Sequence, residues 1–84
     1  MNKKQMKVVE SEINHIFAKI ASLEDLVYAH LDDAERCARR RQQIDELYAE
    51  YNGIKKVLYM MGCEVHYSIA DDGAEYWAVA KQGR

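Results

Sequence analysis

Among the three histidines and two cysteines of this chain, the residue types that bind transition metals, four are the candidate ligands: His30, Cys37, Cys63 and His66. The Cys63-x-x-His66 spacing would suit zinc, but a structural zinc site takes four ligands and the chain has no Cys-x-x-Cys pair. If one continuous helix joins the two cysteines, its rise separates them by about 39 Å, which is too far for one metal or one disulfide. We therefore predict no metal site, no cofactor and two reduced thiols.

The sequence also lacks the motifs that organise common catalytic sites. It contains no Gly-rich phosphate loop, no Gly-x-Ser-x-Gly and no His-Glu-x-x-His. The adjacent carboxylates Asp71 and Asp72 precede Gly73, where aspartates are typical of a turn. We therefore predict no catalytic residue and no enzymatic activity.

Four arginines, Arg36, Arg39, Arg40 and Arg41, lie close together and could contact phosphate groups. Three consecutive arginines fan over about 200° of a helix, so they cannot all face one groove. Acidic residues flank the cluster, and the formal net charge of the chain is −2. A solvated, charged start of a helix is therefore the simpler interpretation, and nucleic-acid binding is the alternative function.

Aromatic residues concentrate in the second half of the chain, which has five of its six tyrosines and its one tryptophan. Tyr and Trp contribute strongly to protein interfaces because they combine a large apolar area with a polar group. Tyr51 and Trp77 fall on the apolar stripes described below and are predicted to be core residues. Tyr28, Tyr48 and Tyr76 fall off those stripes and are the predicted protein-interface residues.

Two sets of apolar residues recur at alternating spacings of three and four, which places each set on one face of a helix. The first set predicts helix 1 at about 5–30 and consists of Met6, Val9, Ile13, Ile16, Ile20, Leu23 and Val27. The second set predicts helix 2 at about 33–62 and consists of Cys37, Ile44, Leu47, Tyr51, Ile54, Leu58 and Met61. We call these sets the apolar stripes, and each can be buried against the other or against a second copy. Phe17, Leu26 and Leu31 widen the first.

The two stripes differ in phase, which favours a turn between the helices. Asp32 is a predicted N-cap with Glu35 three residues later, the pattern of a capping box. The alternative is one continuous helix of roughly 80 Å, since no Gly or Pro precedes Gly53. The second stripe continues through Gly53, so we predict that helix 2 ends at Gly62.

The C-terminal part alternates as strands do, at about 63–70 and 74–80, on either side of a turn ending at Gly73. A two-residue turn would place Trp77 beside His66. A three-residue turn with Gly73 in the left-handed conformation pairs Tyr67 with Trp77 instead. The second interpretation is preferred because it gathers the larger apolar residues on one face, namely Val65, Tyr67, Ile69, Trp77 and Val79.

The sequence therefore predicts an α+β, mainly α, single domain over 1–84: an antiparallel helical hairpin followed by a two-stranded β-hairpin. A chain of 84 residues buries a small core, and dimerisation is a common supplement. With no apolar segment long enough for secretion or a bilayer, a cytoplasmic location is expected. We expect a small non-enzymatic protein-interaction module that forms a homodimer through its helical stripes and acts on another protein as adaptor, regulator or inhibitor.

Overall fold

The chain folds as two antiparallel helices followed by a two-stranded antiparallel sheet, as predicted. A computed structural model describes residues 1–83. The helices are α1 (Lys3–Ala29) and α2 (Ala34–Met60), and the strands are β1 (Cys63–Ile69) and β2 (Glu75–Lys81). Strand β2 packs against α1 and strand β1 packs against α2, so the sheet covers one side of the helical hairpin.

Side-chain caps set the start of both helices. Asn2 and Gln5 form a capping box, in which each side chain accepts the backbone N–H of the other at 2.8–2.9 Å. The turn between the helices is real, so the continuous helix is wrong. The N-cap of α2 is Asp33 rather than the predicted Asp32, because the Asp33 carboxylate accepts the N–H of Arg36 at 3.0 Å.

The helical stripes pack on each other within one chain. The centre of α1 is almost fully buried, with Ile13, Ile16 and Ile20 no more than 2% exposed, and Leu58 of α2 is equally buried. The predicted stripes fail at one position, since Met61 is 52% exposed after the last turn of α2. Of the residues expected to widen the first stripe, Phe17 is half-buried. Two others are exposed, Leu26 at 38% and Leu31 at 60%, because Leu26 lies about 100° around the helix from the buried Val27 and Leu31 follows the end of α1.

Helix α2 continues through Gly53 and ends before Gly62, as predicted. Gly62 has φ +78°, a left-handed conformation that favours glycine and stops a helix. Nothing lies within 4 Å of the position that a Cβ on Gly53 would occupy, so this glycine is not a point of close approach.

The β-hairpin has the predicted three-residue turn. Tyr67 pairs with Trp77 and Val65 pairs with Val79. Gly73 has φ +88° and donates its N–H to the Ala70 carbonyl at 2.9 Å, which closes the turn. The predicted apolar face of the hairpin is only partly buried, because the helices cover the half nearest Cys63 and not the half nearest the turn. On that uncovered half, Tyr67 is 52% and Ile69 is 65% exposed.

Candidate protein interface

A shallow groove between the ends of the two helices has the composition of a protein interface. We call it the tyrosine groove; its cavity volume is about 290 Å³, and its exposed or half-buried members include Tyr28, Leu31, Arg41, Ile44 and Tyr48. Tyr28 is 73% exposed and Tyr48 is 41% exposed. Tyrosine and arginine are, with tryptophan, the residues most enriched among those that dominate binding energy, and an apolar floor strengthens each contact.

The tyrosine groove rests on a cluster of aromatic rings. Tyr48 meets Phe17 edge-on at 6.2 Å between ring centroids, and Phe17 stacks on Trp77 at 4.9 Å. Trp77 in turn meets the exposed Tyr67 at 5.5 Å. The same cluster includes Tyr51, whose pKa is raised by burial. Two exposed tyrosines, one on α2 and one on β1, are therefore joined through packed rings that hold them in place.

The three predicted interface tyrosines do not share one surface. Tyr28 and Tyr48 meet in the tyrosine groove. Tyr76 is half-buried opposite Ser68 in the sheet, on the face that points away from Trp77. Tyr67 replaces it as the exposed tyrosine nearest to the aromatic cluster. Hydrogen bonding to the Glu75 carboxylate raises the pKa of Tyr67.

The arginine cluster divides between two surfaces, as the fan of side chains predicts. Arg36, Arg39 and Arg40 line one open polar cavity of about 430 Å³. Arg36 also lies 3.6 Å from the Asp33 carboxylate, which offsets part of its charge. Arg41 lies on the other side of α2, in the tyrosine groove. Three arginines can therefore approach one anion, and the fourth can bind a protein partner.

The candidate metal ligands are far from forming a site. Buried Cys37 donates its S–H to the His30 carbonyl at 3.1 Å. Cys63 is 1% exposed on the inner face of β1, whereas His66 is on the outer face and contacts the Glu64 carboxylate at 2.8 Å. Within residues 1–83, no three His, Cys, Asp or Glu side chains converge as metal ligands would.

Over the same range, no helix has the length and apolar character of a membrane span.

Sequence reasoning missed the two side chains of α1 that hold the sheet. Asn14 accepts the N–H of Trp77 through Oδ1 at 2.8 Å and donates to the Trp77 carbonyl through Nδ2, also at 2.8 Å. One helical turn earlier, Glu10 accepts the N–H of Val79 at 3.1 Å. Both residues sit beside the apolar stripe and are half-buried. A polar pair four residues apart at the border of a stripe was the available signal.

No similarity emerged when the chain was compared with protein-family models, curated proteins and solved structures. The surfaces of the protein are therefore the observations that bear on its function. Apolar and aromatic side chains that remain exposed beside the core, on a scaffold fixed by buried rings, are suited to binding another protein surface.

Proposed function

We propose that this chain is a small non-enzymatic protein-interaction module that self-associates, and that the tyrosine groove is part of the interface. The observation that carries the proposal is the convergence of Tyr28, Tyr48 and Arg41 on one apolar groove. The helical stripes pack within one chain, so the association uses the surface that remains beside them. It would act on another protein as adaptor, regulator or inhibitor. The cytoplasm is the location we propose, because the two buried cysteines are free thiols.

Self-association can be tested by the dependence of molecular mass on concentration. Sedimentation equilibrium of the full chain should show a monomer that converts to a dimer as concentration rises. Tyr28→Ser combined with Tyr48→Ser should weaken the dimer at least tenfold, because both rings lose their apolar area. The matched control is Tyr59→Ser, which removes a 69% exposed tyrosine of α2 outside the groove and should leave the equilibrium unchanged.

Each outcome decides a separate part of the proposal. A monomer throughout the accessible concentration range would contradict self-association. A dimer that both sets of variants leave equally stable would contradict the tyrosine groove as its interface. Circular dichroism of every variant establishes that a changed equilibrium does not reflect a lost fold.

A second candidate function, nucleic-acid binding, is favoured by the shared cavity of Arg36, Arg39 and Arg40. Binding through phosphate contacts weakens steeply as the salt concentration rises, because the release of counterions from the nucleic acid on binding becomes less favourable. Fluorescence anisotropy with short labelled DNA and RNA at low salt should then show binding that Arg39→Gln with Arg40→Gln reduces. Arg41→Gln is the control, because Arg41 faces the tyrosine groove. No binding of either probe at low salt would exclude this function.

A further inference from the structure

One edge of the sheet is closed by the chain itself. The Trp77 N–H and carbonyl both bond to Asn14, so these groups point away from β1. The next outward N–H on β2, that of Val79, bonds to Glu10. Helix α1 therefore satisfies the backbone of β2 where a third strand would otherwise add, which is one way that proteins protect an edge strand.

The other edge, on β1, is open. Trp77 faces Tyr67, and in an antiparallel pair the backbone N–H and C=O groups of two facing residues point either toward each other or outward, to opposite edges of the sheet. Because the backbone N–H and C=O of Trp77 point outward from β2, those of Tyr67 point outward from β1. The same holds for the backbone groups of its alternate neighbours, Val65 and Ile69. No group within residues 1–83 hydrogen-bonds the N–H of these three residues. We call these outward backbone groups the open edge.

The open edge has few of the features that usually prevent strand addition, and the one acidic residue of β1, Glu64, lies near its start. Strand β1 has no lysine and no proline. Two of its side chains, Tyr67 and Ile69, are apolar and more than half exposed on the inner face. A second strand placed here would satisfy the backbone and cover these side chains at the same time.

We propose that the open edge pairs antiparallel with the open edge of a second copy, forming a continuous four-stranded sheet across the dimer. This inference deepens the proposed self-association and rests on it. A two-fold axis makes such an interface self-complementary, since each copy offers the same strand. The occupant is therefore β1 of another copy of this chain.

The register follows from the exposed side chains and the charges. Outward backbone groups must meet outward groups, so odd-numbered residues face odd-numbered residues. Centring the axis on Tyr67 places Ile69 against Val65 of the second copy, which covers both exposed apolar side chains. In that register Glu64 faces Ala70 and His66 faces Ser68, so no like charges oppose each other. Centring it on His66 would place two imidazoles face to face.

The exposed apolar surface is of the size that a dimer needs. An axis perpendicular to the sheet keeps the inner faces of both copies on one side, and because the paired strands are antiparallel it places the two tyrosine grooves toward opposite ends of the joined sheet. Five apolar side chains of each copy, 41–73% exposed, offer roughly 500 Å²: Tyr28, Leu31, Tyr48, Tyr67 and Ile69. Burial of all five in both copies would reach about 1,000 Å², the lower bound for a specific interface.

Amide hydrogen exchange, measured by NMR on the full chain at two concentrations, tests the pairing directly. At low concentration the amides of Val65, Tyr67 and Ile69 should exchange fast, while those of His66 and Ser68 are protected by β2. At a concentration where sedimentation gives a dimer, the three outward amides should slow at least tenfold and the other two should change little.

A substitution on the edge provides an independent measurement. Ile69→Lys should weaken the dimer at least tenfold, because a charge enters the apolar row, and its side chain is exposed enough for the fold to persist. Val8→Lys is the control and should have little effect, because it places the same charge at a 60% exposed apolar residue of α1, the helix that closes the opposite edge of the sheet.

The results separate this inference from the proposed function. A dimer whose outward amides stay fast, or which Ile69→Lys leaves intact, would overturn the strand pairing and leave self-association standing. A chain that stays monomeric at every concentration would overturn both.

Discussion

The carboxamide of Asn14 on α1 binds both main-chain groups of Trp77 on β2, which lies 63 residues later in the sequence. The two bonds reproduce, with a side chain, the pattern that a neighbouring strand would make. They fix how far along α1 the β-hairpin sits. At that position the Trp77 ring stacks on Phe17, three residues after Asn14 on the same helix.

Asn14→Ala should lower the free energy of unfolding by about 2 kcal/mol, since two hydrogen bonds to a partly buried backbone are lost at about 1 kcal/mol each. Urea unfolding followed by circular dichroism measures the change. Asn52→Ala, at an exposed position of α2, is the control for the helix propensity of the two residues. Equal effects of both variants would show that the two hydrogen bonds from Asn14 to Trp77 do not stabilise the fold.

The glycines of α2 and of its end should respond in opposite directions to alanine. Gly53→Ala should stabilise the protein by about 1 kcal/mol, because Gly53 is helical and its Cβ position is open. Gly62→Ala should destabilise it by about 1 kcal/mol, because Gly62 has φ +78°. Thermal unfolding of both variants measures the contrast. A loss of stability in Gly53→Ala would mean that α2 is not regular at this residue.

Local patterns in the sequence were enough to predict the helices, the hairpin and its register. Each depends on which residues share a face, and that follows from spacing along one element. The exposure of Tyr67 and Ile69 could not be predicted in this way, since it depends on how far the helices extend beneath the sheet. The same holds for Asn14, whose partners lie on a distant strand.

The sequence predicted two of the exposed tyrosines of the tyrosine groove but not that they lie together. Tyr28 and Tyr48 were predicted to be interface residues because they fall off the apolar stripes, whereas Arg41 was grouped with the other arginines as a possible phosphate contact. Their meeting depends on how α1 and α2 are rotated against each other, which neither helix specifies alone. Tyr76 passed the same sequence criterion and lies on the other face of the hairpin, because strand alternation decides its direction.

Ile20→Asp should unfold the chain. Ile20 is 2% exposed in the packed stripe of α1, and an unpaired carboxylate there would be buried without a partner, at a cost of several kcal/mol against a total stability of roughly 5 kcal/mol. Leu31→Asp is the control, because Leu31 is 60% exposed and should tolerate the charge. Circular dichroism of both variants checks the prediction, and a helical Ile20→Asp variant with unchanged stability would contradict the packing of α1.

Alkaline pH should destabilise the protein partly through Tyr51. Burial raises the pKa of Tyr51 above its ordinary value of 10.0, so the folded state holds the phenolic proton more firmly than the unfolded state. The resulting stability is fully present below the unfolded pKa and is lost as pH rises from about 10 through the folded pKa. Urea unfolding at about pH 9 and about pH 11 should therefore show a smaller loss in Tyr51→Phe than in the wild type. Every other ionisable group is present in both proteins, so its contribution cancels in the comparison. Tyr59→Phe, at a 69% exposed tyrosine, should lose stability as the wild type does, and equal losses in all three proteins would contradict the burial of the Tyr51 hydroxyl.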